Sequence, residues 1–190
     1  MDRLNKFCHL NCYTSKLVGE IYEILLDIYQ KNRYNKPMSK VYYSWTDIDS
    51  MMADITQQMA TQMLRPHVVL GPSRGGLAIG TMMSHYFDIP FHGFEWQTRD
   101  GKIQNSTQLR HLLSKYNGKR IVIIDDINDT GKTLQGIHDI VETECMTDNV
   151  KYVALLEKMS SNFSTQICAK ELDEEEENNW IVFPYEEWWK

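Results

Sequence analysis

The chain has 190 residues, 42% of them hydrophobic, and a formal net charge of −6. That length and apolar share suffice for one domain with a proper core, and the negative balance argues against non-specific binding to nucleic acid, which needs a basic surface. No apolar run reaches the roughly eighteen residues of a membrane span, and the opening Met1-Asp2-Arg3-Leu4-Asn5-Lys6 lacks the apolar stretch of a secretory leader.

Cysteines are few and scattered, at Cys8, Cys12, Cys145 and Cys168, which fits a reducing, cytoplasmic setting. Cys8-His9-Leu10-Asn11-Cys12 offers one close pair of zinc ligands, but a structural zinc site needs a second pair and none follows. No internal repeat is visible. Leu17, Ile21, Ile24, Leu25 and Ile28 share one face at helical spacing and predict an amphipathic helix over about 14–31. Residues 32–40, with Pro37, read as a linker, so that 1–40 form an N-terminal helical extension to a domain spanning 41–190.

Val41-Tyr42-Tyr43 is a short strand candidate. Thr46 is placed to cap the next helix, with Asp47 and Asp49 in its first turn. Ile48, Met51, Met52, Ile55, Met59 and Met63 form that helix's buried stripe. Residues 67–70 predict a strand, 71–76 a turn, then a helix to about Phe87, and 89–94 a further strand. Residues 95–109 are polar and weakly patterned, the composition of a mobile or functional loop. A central strand over 120–125, a helix over 130–144 and a strand over 151–156 continue the alternation. It implies an α/β domain with a parallel central sheet flanked by helices and its sites at the strand carboxyl ends. Residues 166–172 and 180–183 read as a terminal pair of strands, separated by the acidic run 173–177, which is expected to be a solvated loop.

Chemistry concentrates in Ile121-Val122-Ile123-Ile124-Asp125-Asp126-Ile127-Asn128-Asp129-Thr130-Gly131-Lys132-Thr133. Four β-branched residues make a buried strand. Two adjacent carboxylates, Asp125 and Asp126, end it, and Asp129, Thr130, Gly131 and Thr133 open the next helical pattern. A small-residue turn between strand and helix presents backbone N–H groups to an anion, aided by the helix dipole. Three carboxylates beside an anion cradle suit a ligand carrying a phosphate and either vicinal hydroxyls or a divalent cation, such as a phosphorylated sugar with Mg²⁺. Gly131-Lys132-Thr133 looks like the tail of a nucleotide P-loop, but the glycine required five residues before the Gly-Lys pair is Asp126 here. A second strand-to-helix turn, Gly71-Pro72-Ser73-Arg74-Gly75-Gly76, again exposes N–H groups, and Arg74 can fork onto phosphate oxygens. Its glycine spacing is not that of a dinucleotide-binding loop.

The hydrophobic run, acidic pair, two residues and Asp-Thr-Gly-x-Thr resemble the phosphoribosyl-pyrophosphate (PRPP) motif of type I phosphoribosyltransferases. Over about 40–186 the chain is similar to the xanthine, guanine and hypoxanthine phosphoribosyltransferases of bacteria and archaea. The resemblance implies that Asp129, Thr130, Gly131, Lys132 and Thr133 cradle the 5′-phosphate. Asp125 and Asp126 would hold the ribose hydroxyls or Mg²⁺, directly or through water. Ser73, Arg74, Gly75 and Gly76 would form the pyrophosphate loop, with a cis peptide at Ser73-Arg74. It makes Arg74, Asp125, Asp126 and Asp129 the catalytic set, with Asp129 handling the purine N7 proton. Lys158 would donate to a purine 6-oxo group. Trp180-Ile181-Val182-Phe183-Pro184-Tyr185-Glu186 resembles the family's Trp-Ile-x-x-Pro-Trp-Asp/Glu stretch, which makes Trp180, Ile181 and Glu186 base-site residues. The polar stretch 95–109, with Arg99, Asp100, Lys102, Ser106 and Thr107, falls where the family has a flexible catalytic loop. The implied activity is transfer of the phosphoribosyl group of PRPP to N9 of a 6-oxopurine in purine salvage, by a homo-oligomer that needs neither nucleic acid nor membrane. The alternatives are a non-catalytic PRPP or purine sensor on the same fold, a phosphoribosyltransferase for another base, and an interaction protein using the N-terminal helix and the tryptophan-rich end.

Overall fold

Strands and amphipathic helices alternate through the described residues, 39–96, 104–144 and 147–189 of the computed structural model. In chain order they are β1 (Lys40–Tyr42), α1 (Trp45–Thr61), β2 (Val68–Pro72), α2 (Gly75–Phe87), β3 (Phe91–Phe94), α3 (Ser106–Lys115), β4 (Ile121–Asn128), α4 (Lys132–Glu144), β5 (Val150–Lys158), β6 (Ile167–Leu172) and β7 (Trp180–Val182). The predicted helix over 14–31 and Cys8, Cys12 and Cys145 lie outside the described residues, as does 97–103. Lys40–Lys190 forms one compact unit. No helix among the described residues is long and apolar enough to cross a membrane.

Five strands make one sheet in the order β3-β2-β4-β5-β6, every neighbour parallel. Side chains of a strand alternate between its faces, and the core divides accordingly. Val69, Val122, Ile124, Val153 and Leu155 meet Ile48, Met52, Ile55 and Met59 of α1 and Ile79 and Met83 of α2. Val68, Leu70, Ile121, Ile123 and Tyr152 meet Leu109, Leu112 and Leu113 of α3 and Leu134, Ile137 and Val141 of α4. Helices therefore cover both faces, as near-continuous apolar strands require.

Four local expectations are corrected. Ser44, not Thr46, caps α1: its hydroxyl accepts from Asp47 N (3.2 Å) while Asp47 Oδ2 accepts from Ser44 N (2.7 Å). This reciprocal pair satisfies two orphan ends at once. Met63 lies beyond the helix at φ 53 and is 93% exposed, so it leaves the buried stripe. The polar stretch 95–109 is not one loop. Trp96 is buried against Phe94 and bridges to Gln104, and α3 starts at Ser106 because Asn105 caps it through Gln108 N. The two terminal strands do not pair with each other. β6 takes its hydrogen bonds from β5 and extends the main sheet, while β7 pairs in parallel with β1, Val41 opposite Ile181.

Candidate active site

In a parallel sheet covered on both faces, ligands meet the chain beyond the strand carboxyl ends. Here those ends carry the sequence features with chemistry. β2 runs into Ser73-Arg74-Gly75, where the Ser73-Arg74 peptide is cis. The turn is held by β3 and its successor: Ser73 N donates to Phe94 O (2.9 Å), and Ser73 Oγ accepts from Trp96 N (3.2 Å). Trp96 is thus a supporting residue hidden by the polar run around it. Arg74 is exposed at the start of α2.

β4 brings the acidic pair directly against this turn. A Cβ on Gly75 would lie 2.4 Å from Asp126 Oδ1 and 2.5 Å from Asp125 Oδ1, so only glycine lets the loop backbone approach the two carboxylates. Asp125 is 9% exposed, and its Oδ1 accepts from Asp126 N (3.1 Å). Burial, with the neighbouring Asp126 charge, holds the Asp125 carboxyl well above the usual carboxylate range. Asp126 is pushed up to about 6, chiefly by burial, while a hydrogen bond from Tyr185 works in the opposite direction. Ionising both at neutral pH calls for positive charge nearby.

After Asn128 the chain turns through Asp129-Thr130-Gly131 before α4 begins at Lys132, two residues later than expected. Gly131 sits at φ 79, a conformation outside the helix that L side chains rarely adopt. Its missing Cβ would lie 2.6 Å from Phe163 N. The connection between β5 and β6 therefore backs the turn. Asn128, 2% exposed, donates from Nδ2 to Phe163 O (2.5 Å), and Asn162 N donates to Thr130 O (3.4 Å). Asn128 and Phe163 were illegible as site residues, since Asn128 falls at an unfixed position of the motif and Phe163 lies in a loop 35 residues away. The resulting turn sets the N-terminus of α4, an end that suits an anion, at the carboxyl end of β4. Thr130 and Lys132 are exposed and Thr133 is half-buried.

Register brings the next pair together. Asn128 lies opposite Glu157 in the β4–β5 ladder, so Asp129 comes level with Lys158. Lys158 Nζ stands 2.6 Å from Asp129 Oδ1, with both side chains about a fifth exposed. The cation foreseen for the base and the carboxylate foreseen for its proton are thus direct partners.

The C-terminal stretch is distributed differently. Ile181 packs on the core, and Trp180, at the start of β7 opposite Lys40, is 43% exposed. Glu186 closes a turn, its Oε2 accepting from Phe183 N (2.9 Å). Tyr185 was not singled out, yet its hydroxyl donates to Asp126 Oδ2 (2.8 Å). The available signal was a hydroxyl-bearing ring where the resembled pattern has an indole.

The family model described as "Phosphoribosyl transferase domain" matches residues 42–188. The chain belongs to the phosphoribosyltransferase family. Its chemistry accordingly falls among pentosyl transfers. The sequence matches none of the curated proteins, whereas solved structures resemble it well. A purine phosphoribosyltransferase from Pyrococcus horikoshii Ot3 is 26% identical with a TM-score of 0.60, over 78% of this chain and 95% of that one. The xanthine-guanine-hypoxanthine phosphoribosyltransferase of Helicobacter pylori has a TM-score of 0.59 at 17% identity, over 78% and 94%. A hypothetical protein of Neisseria gonorrhoeae with bound ppGpp has a TM-score of 0.62 at 16% identity, over 78% and 89%. At those last two identities the likeness is one of fold. This phosphoribosyltransferase thus carries the acidic pair, both strand-to-helix turns and the Lys158–Asp129 contact on the fold that these proteins share.

Proposed function

We propose that the protein transfers the 5-phosphoribosyl group of PRPP to N9 of a 6-oxopurine, releasing pyrophosphate and a nucleoside 5′-monophosphate. The observation that carries this reading is the Lys158–Asp129 contact at the joined ends of β4 and β5. An ammonium there donates to a 6-oxo group and meets an adenine amino group, itself a donor, badly. Asp129 beside it can take a proton from the base. The turn Asp129–Thr133 is assigned the 5′-phosphate, and Ser73, Arg74, Gly75 and Gly76 the pyrophosphate. Trp180, Ile181 and Glu186 are the base-site residues contributed by the C-terminal stretch.

The acidic pair suits Mg²⁺. Among the described residues no group of three or more metal-ligating side chains occurs. Mg²⁺ needs none, because it is held through one or two carboxylates while substrate phosphates and water complete its shell. Asp125 and Asp126 would supply those carboxylates, and the ion would balance charge on pyrophosphate. In the transfer, the bond from C1′ to the pyrophosphate oxygen breaks with its electron pair leaving on oxygen. N9 donates the pair of the new bond, and the proton lost by the purine passes to Asp129. Arg74 and the turn N–H groups stabilise the negative charge that gathers on the leaving group, while the two anion sites fix the geometry.

Pyrophosphate release from PRPP, measured with hypoxanthine, guanine, xanthine, adenine and orotate in turn, tests the proposal. Release is expected with at least one 6-oxopurine and not with adenine or orotate. Release with adenine or orotate alone overturns the base assignment, and PRPP binding without release with any base favours a sensor.

A further inference from the structure

Tyr185 ties the C-terminal stretch to the acidic pair. Its ring lies nearly parallel to Phe183, centroids 5.5 Å apart at 8°, and tilted against Trp45 at 6.2 Å. This packing aims the hydroxyl at Asp126 Oδ2, 2.8 Å away. The other Asp126 oxygen faces the backbone of Gly75, as does Asp125 Oδ1. A carboxylate at a strand end can turn about its own axis. With one oxygen held by a phenol, this one presents the other to the turn between β2 and α2.

Resting on the function proposed above, we propose that Tyr185 is a positioning residue for Mg²⁺·PRPP: its hydroxyl fixes the Asp126 carboxylate so that Oδ1 faces the pyrophosphate turn. The phenol does not itself touch the reacting atoms. It acts through Asp126, and the stacked ring gives it the rigidity to do so. A hydroxyl that merely filled hydrogen-bonding capacity would influence stability alone. A positioning hydroxyl influences sugar-phosphate binding and leaves the purine unaffected.

Tyr185→Phe retains the ring and removes only the hydroxyl. PRPP binding is measured by calorimetry with and without Mg²⁺, on the full-length wild type, Tyr185→Phe, Asp126→Asn and the double variant, beside steady-state KM values for PRPP and purine. The expected result is a loss of about tenfold in PRPP affinity with Mg²⁺, the scale of one hydrogen bond to a charged group. The KM for the purine should stay within about twofold and the melting temperature near wild type. In the Asp126→Asn background the Tyr185→Phe loss should vanish, because the two side chains act as one unit. Unchanged PRPP binding by Tyr185→Phe, or an equal loss in both backgrounds, overturns the positioning role and leaves the proposed function standing. A wild type that does not bind PRPP at all overturns both.

Discussion

Asp125 and Asp126 lie side by side at the end of β4, where burial makes their ionisation costly. Function explains such an arrangement better than stability does, since neutral amides of the same shape would pack with less penalty. Asp125→Asn with Asp126→Asn should therefore lower pyrophosphate release on the order of 10²–10³-fold while raising ligand-free stability at pH 7 by roughly 1–3 kcal/mol. Thermal unfolding beside a turnover assay reads both. An active double variant with unchanged Mg²⁺ dependence would falsify the assignment. Lys158 makes a second case at this scale. Lys158→Ala should reduce kcat/KM for the purine by about 10–100-fold, the range of a hydrogen bond from a charged donor, with PRPP binding within about twofold. Equal losses for both substrates would remove Lys158 from the base site. The spacing of Asp125, Asp126 and Asp129 within one segment made them candidates, whereas Lys158 was singled out only by the resemblance and its contact with Asp129 is tertiary. Tyr185 and Asn128 were not legible, because their importance lies in partners 59 and 35 residues away.

The strand-to-helix turns are where local sequence and tertiary support meet. Gly131 is the clearest example, with its φ of 79 and Phe163 N where a Cβ would stand. Gly131→Ala should cost on the order of 1–3 kcal/mol from backbone strain alone. Its effect on PRPP binding should exceed its effect on purine binding, because the turn between β4 and α4 is displaced. A melting curve and PRPP titration matching wild type would show that the turn tolerates a side chain. β2 and β4 were readable from their β-branched runs, α1 from its apolar spacing, and α2 and α4 from the alternation of strand and helix. α3 was not foreseen at all, because the polar residues preceding it obscured its start, although Leu109, Leu112 and Leu113 do recur at helical spacing. The pairing of β1 with β7 was hidden for another reason. A short strand shows its own propensity in sequence but not its partner, and here the partner lies 140 residues away.

Across the whole molecule, the acidic pair links stability to pH and to ligand. The Asp126 carboxyl has its proton affinity raised from the ordinary 3.8 to about 6, and that of Asp125 is shifted in the same direction. The folded chain therefore binds more protons than the unfolded chain between about pH 4 and pH 6. In that window the stability contributed by Asp126 falls as pH rises, and above it that contribution is lost, with Asp125 acting in the same sense. On the function proposed above, Mg²⁺·PRPP binding would favour the ionised pair, so it would release protons at low pH and need not at high pH. The gain in melting temperature on adding Mg²⁺ and PRPP should accordingly be larger near pH 7.5 than near pH 5. Because the phosphates of PRPP also titrate near this range, wild type is compared with Asp125→Asn/Asp126→Asn at each pH. A pH dependence of the ligand-induced gain that is the same in both proteins would place the proton release on PRPP instead of the acidic pair. A steeper dependence in wild type would assign the difference to the buried carboxylates. It would also explain why the sheet keeps two acids where the ligand-free fold would be better served by none.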